Sequence, residues 1–321
     1  MRIAIVTGKK ESIGGVEIFT RDISKIFARL GHEVDVISRE MLSEPIGNGV
    51  EEAVGNLFSS MHKQKNYDVV FCNGEFGYGV NHPRAINVFH GNYYGYAKSV
   101  EELVDKNLTQ DRMEKAKMQR ESAEGKYVVT VSDYCARQLG EFGVNVDRVI
   151  PLSVDTDIFY PEAVEAEDSS LAISRGRYYE KGFDILSRLA SKGVKIRLFS
   201  DTHIDSPNVE NLGFVKNSGL RSEYSRASIF LNPTRFEGGG LTTLEAMACG
   251  CPVITTPTGY GYDIREVVPN FVADNFVGFF TKQLLVSNDR ERYSKDAIDY
   301  FWEFHNPNDF RSSWTELIKR I

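Results

Sequence analysis

Short apolar runs rich in β-branched residues recur along this chain, separated by longer stretches whose apolar positions follow helical spacing. The first run, Arg2–Thr7, passes through Gly8–Gly15 into a segment where Val16, Phe19, Ile23, Ile26, Phe27 and Leu30 share one helical face and Gly31 is placed to end it. Glu33–Ser38, Val69–Cys72, Ala85–Phe89, Tyr127–Ser132 and Asp147–Ile150 read as further strands. Ser99–Glu124 reads as one long helix whose interspersed charges make a solvated face. A proline-flanked crossover, Pro151–Pro161, and an exposed acidic segment, Glu162–Ser169, mark a domain boundary. Strands are expected again at Leu171–Arg175, Lys195–Phe199, Val209–Val215, Ile229–Asn232 and Pro252–Thr255, with helices over Asn217–Arg226, from Leu241 to the Gly250–Pro252 stop, and over Asp309–Arg320. The alternation predicts an α/β protein with two parallel, doubly wound sheets.

A length of 321 residues fits two domains, and 41% hydrophobic with 26% charged residues is ordinary for a globular protein. The formal net charge of −7 argues against a nucleic-acid partner. No apolar stretch approaches the ~20 residues of a membrane span, and Met1–Thr7 reads as a strand rather than a signal peptide. Cys72, Cys135, Cys249 and Cys251 form no Cys-x-x-Cys pair, and no His-Glu-x-x-His occurs. Disulfides and a structural zinc are therefore not expected, and a cytoplasmic location fits.

The densest signal is Phe236-Glu-Gly-Gly-Gly-Leu-Thr-Thr-Leu-Glu-Ala-Met-Ala-Cys-Gly-Cys-Pro252. Glu237 and Glu245 bracket a glycine run that opens a helix between two strands. Bare backbone N–H groups at such a helix start attract phosphate oxygens. Carboxylates repel phosphate but can accept hydrogen bonds from the paired hydroxyls of a sugar or ribose. A phosphate seat between two diol acceptors suits a sugar nucleotide. Taken singly, Glu245 is also a helix-favouring acid and Glu237 a loop acid; the combination is far more specific than its parts.

Three weaker features accompany it. Gly14 and Gly15 read either as a phosphate-contacting lip or as a flexible turn; the loop is not a dinucleotide fingerprint, and strand 2 ends in Ser38-Arg39 where an acidic residue would suit NAD. His90 ends a strand ahead of Tyr93, Tyr94 and Tyr96, where it could bond a sugar hydroxyl or be satisfied by the backbone. Arg177 and Lys181 follow a strand of the second half and are either a diphosphate clamp or solvated surface charges.

In order and spacing these segments resemble glycosyltransferase family 4. The resemblance runs through Gly14-Gly15, His90-Gly91, Val129–Ser132, Ile150–Phe159, Gly176-Arg177 to Lys181-Gly182, Leu212–Val215, and the Glu-x7-Glu motif from Glu237 to Glu245 with its continuation to Ile254. It implies a GT-B fold: two Rossmann-like domains facing across a cleft, at 1–153 and 154–305, with a final helix at 306–321 returning to the first. It implies retaining transfer without a metal or other cofactor, from a UDP- or GDP-linked sugar to a carbohydrate or lipid-linked acceptor, with peripheral membrane contact left open. On that pattern Arg177 and Lys181 hold the diphosphate, Glu237 the donor-sugar hydroxyls and Glu245 the ribose. Gly240 and Leu241 add amide contacts, Gly14 and Gly15 close over the diphosphate, His90 touches the donor sugar, and the backbone near Phe214 faces the base. Arg175 can substitute for Arg177, because the arginine–lysine spacing is one residue short of the family's. Gly239 stands where an aromatic is common, and Gly259–Glu266 is a loose form of a usual Gly-Gly-x-x-Glu loop. A non-catalytic sugar-nucleotide binder and an epimerase of the same fold are the rival readings.

Overall fold

The computed structural model describes residues 1–10, 14–43, 49–213 and 217–321. The chain divides into two compact units. The first comprises Met1–Lys98, Asp105–Leu152 and Asn308–Ile321; the second comprises Ser99–Val104 and Ser153–Pro307.

The first unit is built on β1 (Arg2–Thr7), β2 (Glu33–Ser38), β3 (Val69–Asn73), β4 (Ala85–Phe89), β5 (Tyr127–Thr130) and β6 (Arg148–Val149), in the order β2-β1-β3-β4-β5-β6. Every pairing is parallel, with Ile3 opposite Val34 and Val69. Strands β3 and β4 are buried along their whole length, as an all-parallel sheet covered on both faces requires. The helix Gly15–Arg29 turns Phe19, Ile23, Ile26 and Phe27 onto the sheet. The helix Pro307–Arg320 buries Trp314 completely, edge-on to Phe19 at 5.3 Å and to Phe71 at 6.0 Å between ring centres.

Two local expectations change. Ser99–Glu124 is not one helix: Tyr93–Val100 ends, and Lys106–Ala123 begins at Asp105, whose carboxylate accepts from the Asn107 N–H at 2.7 Å. An aspartate cap starts a new helix inside a run whose charge pattern looked continuous. Ser132 leaves the strand for the same reason; its hydroxyl accepts from the Cys135 N–H and caps Asp133–Glu141.

The second unit carries β7 (Ser170–Ile173), β8 (Ile196–Phe199), β9 (Val209–Asn211), β10 (Ile229–Asn232) and β11 (Val253–Thr255), in the order β11-β10-β7-β8-β9, again all parallel. Phe214 and Val215 lie outside the described residues. The acidic segment before β7 is not a loose linker. Glu162 pairs with Arg221 at 3.2 Å and Glu167 with Arg226 at 3.2 Å, which fastens it to the helix Asn217–Arg226. Gly259–Glu266 is mostly helical, within Tyr260–Val267. Two parallel, doubly wound α/β sheets are the architecture that the hydrophobic pattern predicts.

Removing the Trp314 indole leaves a cavity between helix and sheet that a rigid core cannot fully close. Trp314→Ala should therefore lower stability by about 3–5 kcal/mol, measured by urea unfolding followed by far-UV circular dichroism. A loss below 1 kcal/mol would show that the last helix contributes little to the packing of the first unit.

Candidate active site

The site in the second unit is assembled by backbone segments that approach unusually closely. After β7 the chain makes a tight turn in which Lys181, Gly182 and Phe183 donate their N–H groups to the carbonyls of Arg177, Tyr179 and Tyr178. Gly182, at φ +70°, lies against the Pro233 carbonyl; a Cβ there would stand 2.1 Å from the oxygen. Only glycine meets both conditions. The loop leaving β10 is then fastened to the turn. Arg235 donates its N–H to the Glu180 carbonyl, and its guanidinium grips Asp184 with two bonds of 2.8 Å. A bidentate fork fixes orientation as well as distance.

This clamp brings Lys181 Nζ to 2.8 Å from Glu237 Oε1. Both side chains keep 27% of their surface exposed, so the pair is open to a ligand. On the other side of Glu237, Gly259 packs so closely that a Cβ would meet the Gly239 carbonyl at 2.2 Å, and the Tyr260 N–H donates to that carbonyl at 2.9 Å. Gly239 has a direct physical reason: a Cβ there would touch the buried Tyr260 ring at 3.1 Å. The tyrosine of the following helix fills the space that a side chain at position 239 would need.

Gly240 is the N-cap of the helix Leu241–Ala248, whose first-turn amides point out of its N-terminus beside Glu237. Glu245 lies one turn further on and is buried. Its Oε2 accepts from the Tyr224 hydroxyl at 2.9 Å, and burial pushes its carboxyl up to about 7 against the partial relief of that bond. Of the two positive residues predicted here, the structure brings Lys181 onto Glu237, and Lys181 pairs with no other acid among the described residues. Arg177 stays exposed on the turn and forms no ion pair among the described residues, and Arg175 is exposed just beyond β7.

Gly14, Gly15 and His90 belong to the first unit. Gly14 caps the helix Gly15–Arg29, and a Cβ on it would lie 2.2 Å from Glu17 Oε2. That carboxylate folds back over the helix start, so an anion arriving there has to displace it. His90, just beyond β4, sits 4.4 Å from the Phe19 ring, and burial holds its imidazole down to about 3. Its tautomer follows from the hydrogen-bond inventory. Asn73 Nδ2 donates to the hydroxyls of Thr7 at 3.0 Å and Thr20 at 2.9 Å, so Asn73 Oδ1 is the acceptor facing His90 Nε2 at 3.3 Å. The proton is therefore on Nε2 and the acceptor lone pair on Nδ1.

With that geometry in place, the chain can be set beside known proteins. A model of Glycosyltransferase Family 4 matches residues 13–158, and a model described as Glycosyl transferases group 1 matches residues 175–298. The chain thus carries a Glycosyltransferase Family 4 domain followed by a Glycosyl transferases group 1 domain. An alpha-1,6-glucosyltransferase of Actinobacillus pleuropneumoniae is 33% identical to this glycosyltransferase over 153 residues, which are 47% of the chain and 42% of that protein. The matches reach less than half the length of the first curated relatives. Among solved structures, sucrose-phosphate synthase from Thermosynechococcus elongatus superimposes with a TM-score of 0.79 at 17% identity, covering 99% of this chain and 98% of that one. HepE of Anabaena, solved with UDP and glucose, gives 0.71 at 14% identity with both chains fully covered. Both likenesses establish the GT-B fold.

Sequence reasoning missed Arg235, Asp184, Tyr224 and Asn73. Asn73 carried a readable signal, since it ends a strand where active-site groups of such sheets gather. Tyr224 and the Arg235–Asp184 clamp carried none, because each is defined only by a contact across the fold.

Glu245 makes stability depend on pH with a definite sign. The folded glycosyltransferase holds this proton up to about pH 7, whereas an unfolded carboxyl releases it near 4.5. The folded state thus binds more protons across that window, and unfolding free energy falls as pH rises through it. Glu245→Gln should abolish this slope, gaining on the order of 3 kcal/mol relative to wild type between pH 4.5 and 8. Denaturant unfolding at pH 4.5, 6 and 8 measures it; parallel wild-type and E245Q curves would refute the buried-proton account.

Proposed function

We propose that the chain is a retaining, metal-independent hexosyltransferase that moves a sugar from a UDP- or GDP-linked donor to a saccharide, lipid-linked glycan or small-molecule acceptor. The observation that carries this reading is the Lys181–Glu237 contact beside the amide end of Leu241–Ala248. A carboxylate next to a diphosphate is repulsive on its own. Paired with Lys181, Glu237 can accept hydrogen bonds from donor-sugar hydroxyls while the ammonium and the helix amides face phosphate oxygens. Arg177, exposed on the same turn, is free to swing onto the diphosphate, with Arg175 as its substitute. Glu245 takes the ribose through Oε1. The fold shared with a structure solved with UDP and glucose supports a nucleotide donor.

In the reaction, the bond between the anomeric carbon and the diphosphate oxygen breaks and its electron pair leaves with the phosphate. The acceptor oxygen forms its bond on the same face, and its proton passes to the departing phosphate oxygen. Charge therefore builds on the diphosphate, where Lys181, Arg177 and the amides of Gly240 and Leu241 stabilise it without reorganising. No side-chain base is required. For Gly14, Gly15 and His90, which lie in the first unit, the family resemblance supports roles toward the diphosphate and the donor sugar. Four buried cysteines, all free, suit a reducing cytoplasm. Among the described residues, no helix is long and apolar enough to cross a membrane.

A panel of UDP- and GDP-sugars, with NAD as control, tests the ligand class. A donor at a hundred times its dissociation constant should stabilise the fold by about 2.7 kcal/mol, and NAD should have no effect. Glu237→Ala and Lys181→Ala should each reduce transfer or donor hydrolysis by about 10²–10³-fold while changing stability by less than about 1 kcal/mol. Full activity in E237A would remove the site assignment. Donor binding without any turnover would make the chain a sugar-nucleotide binder.

A further inference from the structure

Glu245 has two carboxylate oxygens, and the fold treats them differently. Oε2 accepts from the Tyr224 hydroxyl at 2.9 Å, while Oε1 has no hydrogen-bond donor among the described residues. Tyr224 is itself fully buried on the helix Asn217–Arg226, its ring edge-on to Phe230 at 5.4 Å and to Phe159 at 6.3 Å. Rotation of the phenol is blocked by that packing, so the hydroxyl is aimed. One oxygen is held, and the other is left without a donor among the described residues.

We propose that Tyr224 is a positioning residue for nucleotide binding: its hydroxyl holds one Glu245 oxygen so that the other meets the ribose diol of the donor as an oriented acceptor. The inference rests on the functional reading above and extends it to a group that touches no substrate. Other titratable groups around the pair are Cys249 and Cys251, with Arg221 acting on Cys249. Burial pushes both thiols up, Cys251 to about 12, so neither titrates near neutrality. Tyr224 stays a phenol throughout, raised by burial and by Glu245. Glu245 is then the group whose charge changes near pH 7: burial raises the pH at which that happens, and the Tyr224 bond lowers it. A carboxylate accepts from a ribose hydroxyl more strongly than a carboxylic acid does. Nucleotide affinity should therefore decline as pH falls through the Glu245 titration, and weakening the Tyr224 bond should move that decline to higher pH.

Titration calorimetry of the full chain with UDP and with GDP, from pH 5.5 to 8.5, reads this directly. Tyr224→Phe keeps the ring packing and should weaken binding about 5- to 30-fold at neutral pH, with its acid limb displaced upward. Glu245→Gln should lack that limb and retain only the gentler decline from phosphate protonation near pH 6, and Y224F should shift nothing further in the E245Q background. Because Y224F also removes a partner from a buried carboxyl, a second variant guards against loss of folding. 3-Fluorotyrosine placed at position 224 preserves shape and is the stronger donor, so its acid limb should move downward. If wild type binds UDP or GDP and both substitutions at 224 leave affinity and pH profile unchanged, the positioning role is refuted and the functional reading stands. If neither nucleotide binds wild type, the functional reading fails and this role falls with it.

Discussion

The second unit is organised around holding one carboxylate, Glu237, against one ammonium, Lys181, the balance that the proposed diphosphate ligand requires. Coulomb repulsion between a carboxylate and a phosphate a few ångströms apart is on the order of several kcal/mol at a partly screened protein surface. In the proposed complex Lys181 offsets it, and in the structure its nitrogen is held within hydrogen-bond distance of Glu237. That hold does not come from the pair, since half-exposed ion pairs contribute little to stability. It comes from backbone closeness at Gly182 and Gly259, where no side chain would fit, and from the Arg235–Asp184 fork that ties the lysine turn to the carboxylate loop. Glycines set the distance, the fork sets the direction, and the ion pair results.

The motif's two acids are eight positions apart and end in opposite environments. Glu237 lies in a half-open loop and is balanced by a full positive charge. Glu245 is buried within the helix and is met, among the described residues, by a phenol. Environment therefore divides the work between chemically identical groups. The first can approach a phosphate-bearing ligand without reversing the local charge. Burial pushes the carboxyl of the second up to about 7, so its protonation is balanced near neutrality.

Strand positions and the fold class were legible because parallel strands covered on both faces leave continuous apolar runs. The Glu237–Glu245 motif was legible because glycine run, helix and stop occur within one short segment. Element ends were less so. Asp105 and Ser132 look like ordinary polar residues until their side chains are seen accepting from backbone N–H groups. Gly239 looked like a missing aromatic, yet Tyr260, from the next strand–helix unit, occupies the volume. Arg235 sits two residues before Glu237 and still gave no signal, because its meaning depends on Asp184, far away in sequence. Contacts of this kind are set by packing of whole elements, and no local periodicity encodes them.

The first unit shows the same logic applied to a histidine. Thr20 spends its proton on the Val16 carbonyl at 2.8 Å, which leaves its oxygen to accept from Asn73. Asn73 then has both N–H bonds committed to threonines and only its carbonyl for His90. The chain of assignments ends with a proton on Nε2 that is already used and a lone pair on Nδ1. Burial keeps the ring from acquiring a second proton until about pH 3. A ring so held can neither donate a proton to a leaving group nor take up a cationic form at neutral pH; what it retains is the capacity to accept one hydrogen bond. His90 Nδ1 is itself buried and has no hydrogen-bond partner among the described residues, so the protonation of this ring is fixed by three polar residues on β1, the following helix and β3.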